Sequence, residues 1–336
     1  MEVDSKRRLG VAFSGGMNAS EIVDATKLAE DLGYESAWMT EGHGGDQFAV
    51  LSACATATTR IKLGTAISSV FVRSVPTIAM AAASVDQISG GRFILGLGSS
   101  HKVQVEPEHG IAYGKPLTKV RESVEIIRKL LAEGEVSYHG ETIEIEKFDL
   151  WFTPHRRQIP IYVAAVFPKM TALCGEIADG IILTRSALEA GPNIRATVAA
   201  GAARAGRDPA SVEITSLLPI SVAESRQEAF DRMRPGLAFY AGFFPRYNKL
   251  IASFGFEEEA AAIAAAWARG DQAAALAATN DAMIDATGIA GTPQECRSRI
   301  EAYRENGIDL PIISPFARGG DARRVFEQTI KACAPG

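Results

Sequence analysis

The sequence of 336 residues lacks any apolar run near the roughly 20 residues that a membrane-spanning helix requires. Residues 1–8 are mostly charged and have no apolar core of a signal peptide. We therefore expect a cytoplasmic protein that does not insert into a membrane.

Cysteine and histidine are both scarce. The four cysteines lie far apart and form no CxxC pair, so we expect reduced thiols that serve as small packing residues. The five histidines form no HExxH motif and no paired metal-ligand spacing, so the sequence predicts no metal site.

A basic excess, which is typical of nucleic-acid-binding proteins, is also missing. Lys and Arg together number 35 against 40 Asp and Glu, giving a net charge of −5. The composition, 47% hydrophobic and 22% charged, is that of a globular protein with ample material for a core. We therefore expect a small-molecule partner, with no nucleic acid, and a homodimer as the assembly.

The most informative stretch that is present is residues 90–101 (GGRFILGLGSSH). Its apolar centre is typical of a strand buried on both faces, and its glycines permit a flat or anionic ligand to approach the backbone. Gly96-Leu97-Gly98 resembles the start of a dinucleotide fingerprint, but His101 stands where the third glycine is required. A strand that simply ends in a flexible loop is the alternative.

Strand-like and helix-like segments alternate along the chain, which predicts a (β/α)8 TIM barrel in a single domain, residues 1–336. A doubly wound open sheet is the alternative. The predicted strands are 8–13, 36–39, 61–67, 93–97, 159–165, 180–183, 212–222 and 310–314. The predicted helices are 20–32 (with Ser20 as N-cap), 46–58, 75–88, 117–132, 169–178, 188–205 and 321–333.

Two departures from this alternation are predicted. Residues 136–145, after the fourth helix, are typical of a small hairpin. The connection over about 223–309 is too long for one crossover and is predicted to be a helical insertion, with helices at 225–233, 257–268, 271–286 and 293–306. Its aromatic patch either packs these helices together or forms a lid over the barrel mouth. The patch consists of Phe239, Tyr240, Phe243, Phe244 and Tyr247.

Several motifs occur in a characteristic order. They are residues 29–38 (AEDLGYESAW), 60–65 (RIKLGT), 86–99 (DQISGGRFILGLGS), 161–165 (IYVAA), 178–180 (ADG) and 291–296 (GTPQEC). Together they cover nearly the whole chain and resemble the bacterial luciferase-like superfamily of flavin and deazaflavin oxidoreductases. The resemblance implies a barrel with an insertion after the seventh strand.

Residues 41–46 (EGHGGD), 105–110 (VEPEHG) and 117–127 further resemble the methylenetetrahydromethanopterin reductase-like branch. Members of that branch commonly use coenzyme F420, a 5-deazaflavin, in place of FMN. The resemblance implies hydride transfer between coenzyme F420 and a small organic substrate. A monooxygenase that uses reduced FMN is the alternative, and a flavin-binding protein without catalytic activity is the third reading.

The resemblance also implies where the cofactor binds, namely at the carboxyl ends of the strands. It places a non-proline cis peptide at Ala66-Ile67, and the loop before the helix at Pro168-Lys169 offers backbone N–H groups to a phosphate. Arg185 either contacts the phosphate or tail or is a solvated surface charge. The expected cofactor-binding residues are Gly42, Ala66, Ile67, Ser68, Gly98, Ser99, Ser100, Ala164, Ala165, Val166, Phe167, Thr184 and Arg185.

The candidate catalytic residues are His101 and Glu41, as proton donor and as a ring-binding or proton-transfer carboxylate. Asp46 is expected to be a helix N-cap. In the glucose 6-phosphate dehydrogenases of the superfamily, a glutamate stands where this chain has His101, and a histidine stands at the position of Gly42. Glucose 6-phosphate is therefore not the expected substrate, and the substrate is expected between the ring, Phe71 and the aromatic patch.

Overall fold

A parallel barrel forms the centre of the computed structural model, which describes residues 8–315, 317 and 321–335. The strands are β1 (Gly10–Phe13), β2 (Ser36–Met39), β3 (Lys62–Thr65), β4 (Ser68–Ser69), β5 (Phe93–Gly98), β6 (Glu135–His139), β7 (Glu144–Asp149), β8 (Ile161–Ala164), β9 (Gly180–Thr184), β10 (Glu213–Val222), β11 (Ile289–Gly291) and β12 (Leu310–Pro315). Eight of them pair in the order β1-β2-β3-β5-β8-β9-β10-β12, and β12 pairs with β1 to close the ring. The predicted (β/α)8 barrel is confirmed, and closure rules out the open sheet.

The helices surround this barrel. They are α1 (Ala19–Asp31), α2 (Gln47–Ala57), α3 (Val75–Ile88), α4 (Lys102–His109), α5 (Pro116–Glu133), α6 (Pro168–Ile177), α7 (Gly191–Arg204), α8 (Arg226–Phe243), α9 (Pro245–Ala252), α10 (Glu257–Ala268), α11 (Gln272–Ala277), α12 (Asp281–Thr287), α13 (Pro293–Glu305) and α14 (Ala322–Ala332). The four cysteines are buried and free, as expected. Within the described ranges no helix is long and apolar enough to cross a bilayer.

The sequence missed four elements close to the cavity or the insertion: the helices α4 and α9, the short strand β4, and the short strand β11, which extends the sheet beside β10. The helix predicted over 271–286 is two helices, because Asn280 caps the second by accepting a hydrogen bond from the Met283 N–H. The N-cap prediction at Ser20 was wrong. Asn18 caps α1 and forms a capping box with Glu21, which leaves Ser20 inside the first turn.

The insertion has a hydrophobic core of its own, built by α8, α10 and α12 around Leu237, Ile263 and Met283. After these helices, β11 pairs with β10, and α13 leads the chain to the last barrel strand, β12. The predicted hairpin also forms, as the antiparallel pair β6–β7 outside the barrel sheet.

Aromatic side chains fill the barrel interior near the amino ends of the strands. The rings of Trp38 and Tyr162 pack with centroids 5.8 Å apart. Gly64 makes this possible, since a Cβ there would lie 2.3 Å from Trp38 Cε3. Below them an ion cluster closes this end, with Arg8 bridging Glu35 and Glu213. The opposite end, where the strands point their carboxyl termini, is therefore the one available to a ligand.

Candidate functional site

A cavity of about 1180 Å³ opens at the carboxyl ends of the barrel strands, beneath α8 and α9. Its volume exceeds the upper range of single-ligand pockets, about 1,000 Å³, so it has room for a cofactor and a substrate together. Most of the predicted cofactor-binding residues line it: Gly42, Ala66, Ile67, Ser99, Ser100, Ala164, Val166, Phe167, Thr184 and Arg185. Ser68, Gly98 and Ala165 are not part of its lining.

The peptide bond Ala66-Ile67 is cis, as the resemblance implied. Gly98 lies directly behind it, because a Cβ on Gly98 would come within 2.7 Å of Ile67 Cγ1 and 3.2 Å of Ala164 Cβ. Gly98 thus acts by letting Ile67 and Ala164 close up into one wall of the cavity.

Glu41 lines the cavity at the end of β2, but both of its oxygens already have partners. Oε2 accepts a hydrogen bond from the Ser69 N–H at 2.7 Å, and Oε1 accepts from Arg73 Nε at 2.5 Å. Arg73 also binds Asp46, which is the N-cap of α2 as predicted. The contacts with Arg73 and Ser69 fix the position of the Glu41 carboxylate.

His101 also lines the cavity, at the N-cap position of α4. Its ring packs against Phe244 and Tyr247, with centroids 4.7 Å and 4.9 Å away. Burial, together with the positive charge of Arg246, lowers the pKa of His101 to about 4. The imidazole is therefore neutral near pH 7, with one ring nitrogen able to donate a hydrogen bond and the other able to accept one.

The aromatic patch satisfies both readings of the sequence. All five residues, Phe239, Tyr240, Phe243, Phe244 and Tyr247, line the cavity. They also stack on one another, as the parallel rings of Phe239 and Phe243 do at 5.5 Å. Phe71, in contrast, is not in the cavity lining: it is buried and stacks on Tyr113 at a centroid distance of 4.4 Å.

Arg185 is not the solvated surface charge that the sequence allowed. It follows β9 with a φ of 51° and is only 5% exposed. Its Cζ lies 4.3 Å from the centroid of the Tyr240 ring. The inserted helix α8 therefore covers this cation, which no local feature of the sequence indicates.

The start of α6 is the position at which the sequence predicts a phosphate site. The helix begins at Pro168, and its N-cap Phe167 provides no side-chain cap, so the helix N-terminus is not closed by its own side chain. Lys169 lines the cavity here, and Lys249 Nζ from α9 lies 5.9 Å from the Phe167 ring centroid. A helix N-terminus with two nearby ammonium groups favours a phosphate.

Several lining residues were missed by sequence reasoning. Arg246 and Lys249 come from α9, and the basic residues interleaved with aromatics over 243–249 are the signal that could have found them. His43 Nε2 lies 3.1 Å from Glu108 Oε2 and so joins motif 41–46 to motif 105–110 at the rim. Among the described residues no group of three or more His, Cys, Asp or Glu could hold a metal ion.

Comparison with known proteins agrees with this geometry. The luciferase-like monooxygenase family model matches residues 5–310. The chain is 32% identical to the 5,10-methylenetetrahydromethanopterin reductase of Archaeoglobus fulgidus, over 98% of this chain and 99% of that protein. It is also 32% identical to the reductase of the same name from Methanolobus tindarius, over 89% and 91%. The solved coenzyme F420-dependent tetrahydromethanopterin reductase of Methanopyrus kandleri superposes with a TM-score of 0.85 at 26% identity, covering 98% of each chain.

Proposed function

Because the chain belongs to the luciferase-like monooxygenase family, we propose that it is an oxidoreductase that transfers a hydride between coenzyme F420 and a small organic substrate. The observation that carries this proposal is the cavity itself. It combines the Ile67–Ala164 wall with the predicted phosphate site at α6 and with space for a second ligand. The two reductases compared above at 32% identity and the F420-dependent structure support the same choice.

The residues present fit a deazaflavin with a phosphate-bearing chain. Ala66, Ile67 and Ala164 offer a flat, largely apolar wall for the ring, and Gly42 leaves open space beside it, with no heavy atom within 4 Å of an added Cβ. The phosphate belongs at Val166, Phe167 and the start of α6, where Lys169 and Lys249 supply positive charge.

Hydroxyl groups complete the binding set. Ser99 and Ser100 follow β5, and Thr184 ends β9, the second strand along the barrel from β5, so all three add polar hydrogen-bonding groups to the cavity lining. Ser68 follows the cis peptide in sequence, and its buried Oγ has no hydrogen-bond partner among the described residues.

Bound in this place, the deazaflavin supplies or accepts a hydride at its C5 carbon. The chain contributes orientation, exclusion of water by the aromatic patch, and a neutral His101 that accepts a hydrogen bond from the substrate. Glu41 orients the loop after β2 through Arg73 and Ser69. The homodimer and the cytoplasmic location stay predictions.

Anaerobic titration of the purified protein with each cofactor, followed by fluorescence, tests the proposal. We expect coenzyme F420 to bind at least about tenfold more tightly than FMN, or about 1.4 kcal/mol. Tighter binding of FMN, with oxygen consumption when reduced FMN is added, would assign the protein to the monooxygenases instead. Binding of a flavin without reduction of carbonyl compounds or oxidation of alcohols would favour a flavin-binding protein without catalytic activity.

A further inference from the structure

Arg185 is a buried cation without a counter-ion in the described part of the chain. Its Nη1 is buried and donates to no acceptor there. Burial lowers the pKa of Arg185, and the neighbouring Tyr240 and Tyr247 only partly oppose that shift. A guanidinium stays protonated in proteins, and an unpaired buried charge is costly, so a residue in this state normally has a partner that arrives from outside.

Arg185 lies on the side of the cavity that is formed by the aromatic patch, where the substrate is expected to bind. Its Cζ lies 4.3 Å from the Tyr240 ring centroid, Tyr240 lies 5.2 Å from Tyr247, and Tyr247 lies 4.9 Å from His101. These contacts form a continuous row beneath the inserted helices, with Arg185 at one end and His101 at the other. The row faces the same cavity as the Ile67–Ala164 wall.

The phosphate of the cofactor has cations of its own. Lys169 stands at the N-terminus of α6, and Lys249 lies by Phe167. Arg185 instead lies against Tyr240, and its main-chain N–H donates a hydrogen bond to the Leu217 carbonyl at 3.2 Å. The two positive regions are therefore built by different elements, which fits two anionic groups rather than one.

We propose that Arg185 binds an oxyanion of the substrate, so that the substrate class is organic anions, with a carboxylate or a phosphate ester. The inference rests on the proposed function and names the substrate class of that site. The Tyr240 ring lies over the guanidinium carbon, whereas Nη1 has no acceptor among the described residues. That planar fork matches two oxygens of one acid group.

Calorimetric titration with simple probes tests the proposal in both cofactor-free and F420-loaded protein. The probes are benzoate and phenyl phosphate, with neutral benzamide as the matched control. We expect benzoate or phenyl phosphate to bind the wild type at least about tenfold more tightly than benzamide, an advantage of about 1.4 kcal/mol. Arg185→Gln should abolish this preference and Arg185→Lys should keep part of it, while neither changes the dissociation constant of coenzyme F420 by more than about twofold.

A second measurement, thermal unfolding, does not depend on the affinity of the protein for the cofactor. Arg185→Met removes an unpaired buried charge, so the melting temperature of the cofactor-free protein should rise, and added benzoate should raise it further by less than it does in the wild type. Lys147→Gln is the control: it removes an exposed lysine of the hairpin, outside the cavity, and should leave the benzoate response unchanged.

The outcomes separate the two possible sources of the oxyanion. Arg185→Gln could weaken the binding of coenzyme F420 and leave the binding of phosphate-free 5-deazariboflavin and of benzoate unchanged. In that case Arg185 binds the phosphate of the cofactor, and the proposal is overturned. Absence of any anion preference in the wild type overturns it too. Failure of the wild type to bind coenzyme F420 is measured in a separate titration and counts against the proposed function.

Discussion

The guanidinium of Arg73 donates from Nε to Oε1 of Glu41 across 2.5 Å, at the edge of the cavity. The side chains are only 22% and 16% exposed, so water screens this ion pair weakly. The Ser69 N–H donates to the second oxygen of Glu41. Both oxygens of this candidate catalytic carboxylate therefore bind the protein itself, which indicates a structural role for Glu41.

Breaking that pair should therefore destabilise the protein. We expect Arg73→Met to lower the free energy of unfolding by about 2 kcal/mol, because it leaves the Glu41 carboxylate partly buried without its cation. Urea unfolding measures this change. Lys102→Met, which removes an exposed partner of Glu106, is the control and should have little effect. Equal midpoints for the two variants would contradict the structural role.

Gly98 and Gly42 should respond differently to the same added methyl group. Gly98→Ala forces Ile67 away from its present position, so we expect a loss of about 1–3 kcal/mol in stability and weaker binding of coenzyme F420. Gly42→Ala meets no atom within 4 Å and should keep the wild-type melting temperature. Thermal unfolding and cofactor titration of both variants provide the comparison, and a Gly98→Ala protein that matches Gly42→Ala in stability would disprove the close packing at Ile67.

The lowered pKa of His101 gives stability a defined dependence on pH. The native ring stays neutral down to a pKa of about 4, whereas an ordinary histidine titrates near 6.5. Between these values the unfolded state binds more protons than the native state, so stability falls as the pH drops from 6.5 to 4. The full contribution is on the order of 2 kcal/mol, since the side chain keeps some access to water.

Replacing His101 should flatten that part of the profile. Urea unfolding of His101→Gln at several pH values is the measurement, and His139→Gln, at an exposed hairpin position, is the control that should follow the wild type. A wild-type slope that survives in His101→Gln would mean that another group titrates there. If His101 nevertheless donates a proton during turnover, the variant should lose about 10²–10⁴-fold in rate with its cofactor affinity intact.

A second ion pair supports the barrel below the site. Asp86 is fully buried at the end of α3 and accepts from Arg156 Nε at 3.0 Å, while Arg156 Nη2 donates to the Phe93 carbonyl at 2.7 Å. Asp86→Ala leaves Arg156 without its counter-ion, and we expect a loss of about 3–5 kcal/mol in chemical denaturation. Glu141→Gln, which removes an exposed partner of Lys115, is the control. If Asp86→Ala lowered the free energy of unfolding no more than Glu141→Gln does, the ion pair would not stabilise the barrel.

The barrel could be predicted from the sequence because its strands are short apolar runs separated by helices with clear boundaries. The second strand, 36–39, and the helix 75–88 agree with the structure to the residue. The helix α4 escaped prediction because it is only eight residues long, contains Pro107 and follows a glycine-rich strand end. Local pattern is weakest for such short helices, which depend on tertiary packing.

The site was predicted less completely, for a physical reason. The strand ends near 66 and 98 were found because glycines and hydroxyls mark them, and the family resemblance supplied the cis peptide. The state of Arg185 and His101 depends instead on residues far along the chain: Tyr240 covers the first, and Phe244 and Tyr247 pack against the second. Burial of this kind arises from the docking of the insertion, which periodicity does not reveal.

The distribution of charge around the cavity has a kinetic consequence. The chain carries a net charge of −5, yet four cations line the cavity: Lys169, Arg185, Arg246 and Lys249. Of the two carboxylates in the lining, Glu41 is paired with Arg73, so Glu108 is the one acidic lining residue without an Arg or Lys partner among the described residues. A positive mouth on an acidic surface focuses the field on anions that diffuse toward it. Association of an anionic ligand should therefore slow as added salt shortens the screening length from roughly 30 Å to 8 Å, while its escape rate stays nearly constant.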